Sequence, residues 1–346
     1  MNNKLRENSD GFDEGVNERF LNDTLNLFSG YETGHMNPYA FNEPDSEIMN
    51  DLVHGGKDWE RFIAHSKDYY VINEEIDIIH SFAKQVAASL PDNAVYVDLG
   101  PGEEKAVKGK TLPFLSELAK SSKFIAVDVN AAFAKSAAQI VEKETGLKSE
   151  AVQGDFLAEQ LNLSPNRPAI LSLFGGLLSN GGKISGVDSQ VQLTQTFNRL
   201  AQNIKPGDYL VITQDYNQDE FSLLAAYTNP DLANYVLSTL HRVKRDLPTT
   251  GFDPSKFDFV SHWLPEENLV TLNAKVKPDE TGLPLFFKIA GVPFALTQGK
   301  EIPLVNCYKY PVKDFMDAAI SAGFVSKAVY KKDNNRIALH VLKLES

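Results

Sequence analysis

Val95-Tyr96-Val97-Asp98-Leu99-Gly100-Pro101-Gly102 opens the stretch that decides the fold, and Phe124-Ile125-Ala126-Val127-Asp128 closes it. A short run with β-branched residues ends in an acid and a Gly-x-Gly turn. A helical segment follows, and a second apolar run ends in another acid. That order reads as strand, glycine loop, helix, strand of an open α/β sheet, whose ligand crevice lies at the carboxyl ends of the strands. Glycines, lacking a Cβ, let the backbone come close to a ligand and tolerate positive φ. Asp128, ending the second strand, is placed to hydrogen-bond a ribose diol.

Two cofactor classes use this layout, dinucleotides and S-adenosylmethionine. The dinucleotide fingerprint needs a third glycine three residues on, where a pyrophosphate meets the helix amino end. That position here is Lys105, preceded by Glu103 and Glu104. Two carboxylates repel a pyrophosphate but suit a cation such as a sulfonium. Asp98 completes an acid-x-Gly-x-Gly pattern, which favours S-adenosylmethionine and a methyltransferase. The rivals are a nicotinamide-dependent oxidoreductase, which shares Gly-x-Gly and Asp128, and a cofactor-binding relative without turnover.

Working outward, the same rhythm continues. Before the stretch, Ile76, Ile79, Phe82, Ala83, Val86 and Leu90 give Glu74–Leu90 one apolar side, and Val16–Phe28 also has helical spacing. Residues 1–15 read as a disordered tail, Ser46–Leu52 and Trp59–His65 as short helices, and 16–73 as a helical part of a substrate-binding domain. After it come a helix Ala131–Thr145, strands at Ser149–Val152, Pro168–Phe174 and Gly207–Thr213, and a helix Val187–Asn203. Such alternation predicts a parallel sheet covered by helices. The rhythm breaks after Asp215. Residues 217–303 carry helical segments, then alternating runs around Phe257–Trp263 and Leu269–Lys277 that predict antiparallel strands with one wet face. A helix from Val312, Gly323 and two strands, Phe324–Tyr330 and Ile337–Leu344, then close the sheet with a hairpin. The expectation is a Rossmann-like class I methyltransferase sheet over 74–216 and 304–346, interrupted by an inserted α+β substrate-binding domain at 217–303.

Composition narrows the function. At 346 residues the chain suits two domains, and 42% hydrophobic content is ample for a core. A net charge of −12 argues against binding a phosphate backbone, which needs clustered Lys and Arg. No apolar run reaches membrane-spanning length, and Met1–Arg6 lacks the apolar core of a signal peptide, so a cytoplasmic protein is expected. A single cysteine, Cys307, excludes an internal disulfide and any multi-thiolate zinc site, and the seven histidines show no ligand spacing, so no metal is expected. The oligomeric state is left open.

Taken together, the sequence resembles the histidine-specific N-alpha methyltransferases of ergothioneine biosynthesis and their relatives. The resemblance rests on Asp68-Tyr69-Tyr70, the Val97–Gly102 loop with Lys105, Val127-Asp128-Val129, Gly154-Asp155-Phe156, the Phe174–Asn180 run, Pro206-Gly207-Asp208, Leu224–Tyr227 and Gly251-Phe252-Asp253-Pro254. It implies that Gly100, Gly102 and Lys105 hold the methionine end of S-adenosylmethionine, Asp128 the ribose, and Asp155 and Phe156 the adenine. It further implies that Asn180 and Tyr227 bind the amino and carboxylate groups of an amino acid, with Tyr69 or Tyr70 lining the side-chain pocket. Each residue also has a plainer reading: Asp155 as a helix cap, Asn180 before two glycines as a turn, the tyrosines as packing, Cys307 as an inert core thiol.

The departures are informative. A glutamate and a serine of the family that engage imidazole fall at Val305 and Cys307, and an upstream tyrosine falls at Leu52. A pocket built to hydrogen-bond a ligand rejects the wrong one because its polar groups are left unpaired, and here those groups are apolar. The expectation is therefore N-methylation of an amino acid or amine other than histidine, with authentic histidine methylation as the alternative. Tyr39 and Asp215 are candidates for the base that takes the amine proton.

Overall fold

A computed structural model describes residues 12–36, 38–39, 55–118, 121–161, 163 and 168–345, with backbone alone at 12–17 and 55. The expected helix Ser46–Leu52, Leu52 itself and most of the expected tail lie outside these residues. The first helix, α1 (Phe12–Ser29), begins within the expected tail, earlier than the hydrophobic spacing predicts. A two-residue strand β1 (Glu32–Thr33), α2 (Gly55–His65) and α3 (Tyr70–Ala87) follow. Tyr70 therefore starts a helix rather than preceding it.

The central sheet takes β2 (Val95–Leu99), β3 (Lys123–Asp128), β4 (Ser149–Gln153), β5 (Ala169–Leu173) and β7 (Tyr209–Asp215) as parallel neighbours. The short β6 (Lys183–Ile184) pairs with β1 outside it. The chain later returns through α9 (Val312–Ser321) to β14 (Phe324–Tyr330) and β15 (Ile337–Leu344), both in the expected places. Strand order across the sheet is β14-β15-β7-β5-β2-β3-β4, with β15 antiparallel to both neighbours. A parallel sheet closed by an antiparallel hairpin is the class I methyltransferase arrangement that the sequence predicts.

Two-sided burial explains the near-continuous apolar strands. Val95, Val97 and Leu99 face a core that α6 (Ser189–Ala201) and α9 complete through Phe197 and Phe315. Tyr96 and Phe124 face the opposite core with Phe114 and Ile79. The glycine loop leads into α4, a helix over 104–117 whose middle, Val107–Thr111, is a π turn. Then come α5 (Ala131–Thr145), capped by the Asn130 side chain, and after β7 the insertion with α7 (Glu220–Tyr227) and α8 (Pro230–Asp246).

The insertion holds two small antiparallel sheets. One orders β13 (Glu301–Tyr308), β10 (Leu269–Val276) and β9 (Phe257–Leu264). The other orders β12 (Val292–Leu296), β11 (Leu285–Ile289) and β8 (Thr249–Thr250). Two expectations are corrected here. The boundary at 303 cuts through β13, which pairs along β10 as far as Tyr308, so the insertion ends after that strand. And β10 is buried nearly throughout rather than wet on one face, because it sits between two strands while helices cover the sheet. The outer edge of β13 is also covered. Gly34 N–H donates to Pro303 O at 2.8 Å and Met36 N–H to Leu304 O at 3.0 Å. Gly34 sits at φ +76°, and a Cβ there would lie 2.0 Å from the Asn306 side chain.

Candidate active site

Two cavities meet at the carboxyl ends of the central strands, where an open α/β sheet leaves a crevice. The larger, about 980 Å³, is lined by Gly100, Pro101, Gly102 and Glu103 of the loop after β2. Asp128 and Val129 follow β3, Asp155, Phe156 and Leu157 follow β4, and Phe174, Gly175, Leu177 and Asn180 follow β5. Gly100 and Gly102 adopt φ of +69° and +72°, which L side chains rarely adopt, and a Cβ on Gly100 would meet Leu177 Cδ1 at 2.3 Å and force that side chain to move.

Asp128 locks the loop to the next strand. Its carboxylate accepts from Asn130 N–H at 2.8 Å and, at 3.4 Å, from Gly102 N–H. Burial pushes its carboxyl up to about 7 against the pull of these two donors, so additional hydroxyl donors would favour its charged form. A ribose diol supplies such donors. Asp155 uses one oxygen to accept from Leu157 N–H at 3.0 Å, and so serves as a turn cap while lining the cavity. Phe156 also lines it, and its carbonyl accepts from Asn203 Nδ2 at 2.8 Å.

Two expected cofactor residues are placed differently. Lys105 is exposed on the helix after the loop and lines neither cavity. The lysine in the crevice is Lys110, turned inward by the π turn and held by Glu75 at 3.0 Å with both side chains buried. Lysine is almost never buried unpaired, so Glu75 is the condition for Lys110 lying there. Glu75 in turn accepts from Gly175 N–H at 2.5 Å. Asp98 lies beneath the loop rather than in the cavity, accepting from Thr111 Oγ1 at 2.5 Å and Ser172 Oγ at 2.8 Å. It braces the loop from below.

The crevice fits S-adenosylmethionine. Its charged lining residues are Glu103, Asp128, Asp155 and Lys110, and Lys110 is already paired with Glu75, so negative charge is in excess. A ligand whose sulfonium and ammonium outnumber its single carboxylate is net positive and matches that excess.

The second cavity, about 600 Å³, shares Trp59, Tyr69, Val71, Gly175, Leu177 and Asn180 with the first and continues to Asp215, Tyr227, Leu232, Tyr235, Leu272, Val305, Cys307 and Lys309. Residues two apart on a strand share a face, which brings Val305, Cys307 and the following Lys309 to one wall with Leu272 opposite Val305. The other wall is aromatic. Tyr69 meets Tyr227 edge-on with ring centroids 5.6 Å apart, and Trp59 packs on Tyr235 at 5.3 Å. Burial pushes the Cys307 thiol up to about 11 and raises the Tyr69 and Tyr227 phenols, so all three remain neutral near pH 7.

At the floor, Lys309 Nζ donates to Asp215 at 2.6 Å and to Tyr227 Oη at 2.8 Å. Burial is the largest single influence and opposes the lysine charge, but Asp215 together with Tyr70, Cys307 and Tyr69 holds Lys309 above its ordinary value. Asp215 is thereby committed. One oxygen accepts from Lys309 and, at 2.7 Å, from Tyr70 Oη, and the other from Asn217 N–H at 3.0 Å. A carboxylate so occupied is a counter-ion rather than a free base, which corrects its expected role. Tyr70 is corrected with it: its hydroxyl binds Asp215 and its ring lies under Arg336, while Tyr69 lines both cavities. Tyr39 is in neither cavity. Its hydroxyl donates to Asp23, and Arg242 Nη1 donates to its carbonyl at 2.7 Å.

Sequence reasoning missed Glu103 as a buried group, Lys110, Lys309, Trp59 and Tyr235. A partial signal existed for Lys309, a charged residue closing an apolar run, and for Lys110, which follows the mid-helix Gly109.

A family model described as histidine-specific, S-adenosylmethionine-dependent methyltransferase matches residues 51–344. The 4-dimethylallyltryptophan N-methyltransferase easF of Trichophyton verrucosum is 24% identical over 306 residues, covering 84% of this chain and 86% of that protein. The histidine N-alpha-methyltransferase of Mycobacterium tuberculosis is 27% identical over 61% of this chain and 63% of its own length. The N-methyltransferase fsqC of Aspergillus fumigatus is 24% identical over 75% of this chain and 69% of its own. With the model match spanning most of the chain and the strand order in agreement, this chain belongs to the histidine-specific, S-adenosylmethionine-dependent methyltransferase family.

Proposed function

We propose that this enzyme methylates the α-amino group of an amino acid with an apolar, aromatic side chain, and not histidine. One observation carries the reading. The second cavity joins Asn180 and Tyr227 to a side-chain wall of Val305, Cys307, Leu272, Trp59 and Tyr235. Val305 and Cys307 offer an imidazole neither a carboxylate nor a hydroxyl, and an aromatic wall rewards a large apolar ring. The names of similar proteins, which include 4-dimethylallyltryptophan, support the same class.

The cofactor, when bound, supplies a methyl group already activated on a sulfonium. The chain's residues then have to orient and desolvate the amine. Asn180 borders both cavities and is placed to hold the amino group toward the crevice. Tyr227, polarised by Lys309 at 2.8 Å, is placed to donate to the carboxylate. Asp215 fixes Lys309 and balances its charge. Gly100, Gly102, Asp128, Asp155, Phe156 and Lys110 hold the cofactor, and the insertion with the amino-terminal helices forms the substrate-binding domain, acting on a small molecule in the cytoplasm.

The test is mass spectrometry of tryptophan, a prenylated tryptophan, tyrosine and histidine after incubation with protein and S-adenosylmethionine. A methyl group on an indole-bearing amino acid with histidine untouched is expected. Methylation of histidine alone overturns the side-chain assignment.

A further inference from the structure

From its burial and its missing partner, we infer that Glu103 is the counter-ion for the α-ammonium of the cofactor's methionine end. Glu103 directly follows the Gly-x-Gly turn and is 8% exposed, yet its Oε1 has no hydrogen-bond partner. A buried carboxylate oxygen without a donor is costly, and native structures seldom leave one unless a ligand or water completes it. Its neighbour Glu104 behaves as an ordinary surface acid, exposed and paired with Lys108 one helical turn on.

A structural role does not account for Glu103. It stands at the N-cap of the helix over 104–117, but its side chain makes no capping bond. Instead it lines the cofactor crevice with Lys110, whose positive charge it supports. Lys110 is already engaged by Glu75 at 3.0 Å. The ligand group that Glu103 takes must therefore bring its own N–H donors. A sulfonium has none, whereas an ammonium has three. Glu103 then supplies the negative partner that the ammonium of an α-amino-acid end requires.

This rests on the cofactor assignment and predicts a contact that survives methyl transfer, because S-adenosylhomocysteine keeps the ammonium. 5′-Methylthioadenosine keeps the adenosine and sulfur but lacks the amino-acid end. Calorimetric titration of both ligands into the wild type and Glu103→Gln is the test. The substitution should weaken S-adenosylhomocysteine about ten- to a hundredfold, the loss of a charge-assisted hydrogen bond, and leave 5′-methylthioadenosine within about twofold. Equal losses for both ligands would make Glu103 a loop or helix-dipole residue and overturn the inference, as would no loss for either. An arm on unmodified protein covers a variant that fails to fold. A deamino analogue of S-adenosylhomocysteine should bind at least about tenfold more weakly than the parent, and equal affinity overturns the inference. Failure of the wild type to bind either adenosine ligand would instead sink the cofactor assignment on which it rests.

Discussion

The two cavities that meet at Trp59, Tyr69 and Asn180 are built by different routes. The cofactor crevice takes most of its lining from four successive strand ends, after β2, β3, β4 and β5, and much of its shape from backbone at Gly100 and Gly102. The second cavity, proposed to hold the substrate, collects side chains from α2, the start of α3, the end of β7, α7, α8, β10 and β13. Where a site is made of strand ends, the order of elements specifies it. Where it is made of side chains from distant segments, packing decides which residues arrive.

That contrast can be broken most forcefully at the floor of the second cavity. Lys309→Met leaves the Asp215 carboxylate, 3% exposed, without its ion pair, and removing one partner of a buried pair costs about 3–5 kcal/mol. Urea denaturation should show that loss, with much of it recovered in Lys309→Met with Asp215→Leu. An unchanged midpoint for the single variant would mean that the pair is not formed. S-adenosylhomocysteine affinity of the folded protein should be unaffected, since the pair belongs to the other cavity.

A smaller effect is expected in the crevice. Gly100→Ala forces a left-handed residue, costing roughly 1–2 kcal/mol, and drives its Cβ toward Leu177. Cofactor affinity should fall about tenfold or more by calorimetry. Retention of wild-type affinity would show that the loop does not hold the ligand.

The pH dependence should sharpen the contrast further. Asp128 is raised from 3.8 to about 7, so its protonated form is the one favoured by folding in the free protein. Its contribution to stability is complete below pH 3.8 and is lost as the pH rises through about 7. Cofactor binding has the opposite sign, because a diol donates to the carboxylate. Affinity for S-adenosylhomocysteine should rise about tenfold between pH 6 and pH 8 and then level, and Asp128→Asn should flatten that profile. A flat wild-type profile would remove Asp128 from ribose binding.

The gentlest change concerns specificity. Val305→Glu with Cys307→Ser restores a carboxylate and a hydroxyl to the buried wall and should let histidine raise the melting temperature by about 2–4 °C at saturating ligand. No histidine-dependent shift would mean that the wall does not set the side-chain preference.

Legibility in the sequence followed the same division. Gly100, Gly102 and Asp128 line the crevice as expected because each stands at a strand end that hydrophobic periodicity locates, and Asp155 and Phe156, which the resemblance to a family implied, line it at the next strand end. Tyr69, Asn180, Tyr227, Val305 and Cys307 reach the second cavity, and the resemblance to a family, rather than periodicity, singled them out. Lys105 missed because spacing along the chain does not reveal a π turn, which rotates Lys110 inward instead. Tyr70 and Asp215 missed as ligand or base because their hydrogen bonds are spent on each other and on Lys309.

By itself the sequence determined the alternation of strands and helices, the glycine loop, the acids at the carboxyl ends of β2 and β3 (Asp98 one residue before the end, Asp128 at it), and the closing hairpin. These follow from local periodicity and from φ angles that few residues tolerate. Only the tertiary structure decided that β13 belongs to the insertion, that Asp98 braces the loop from beneath, that Glu103 is buried while Glu104 is solvated, and that Lys309 neutralises Asp215. Those outcomes turn on burial and charge pairing between segments far apart in the chain, which no local pattern encodes.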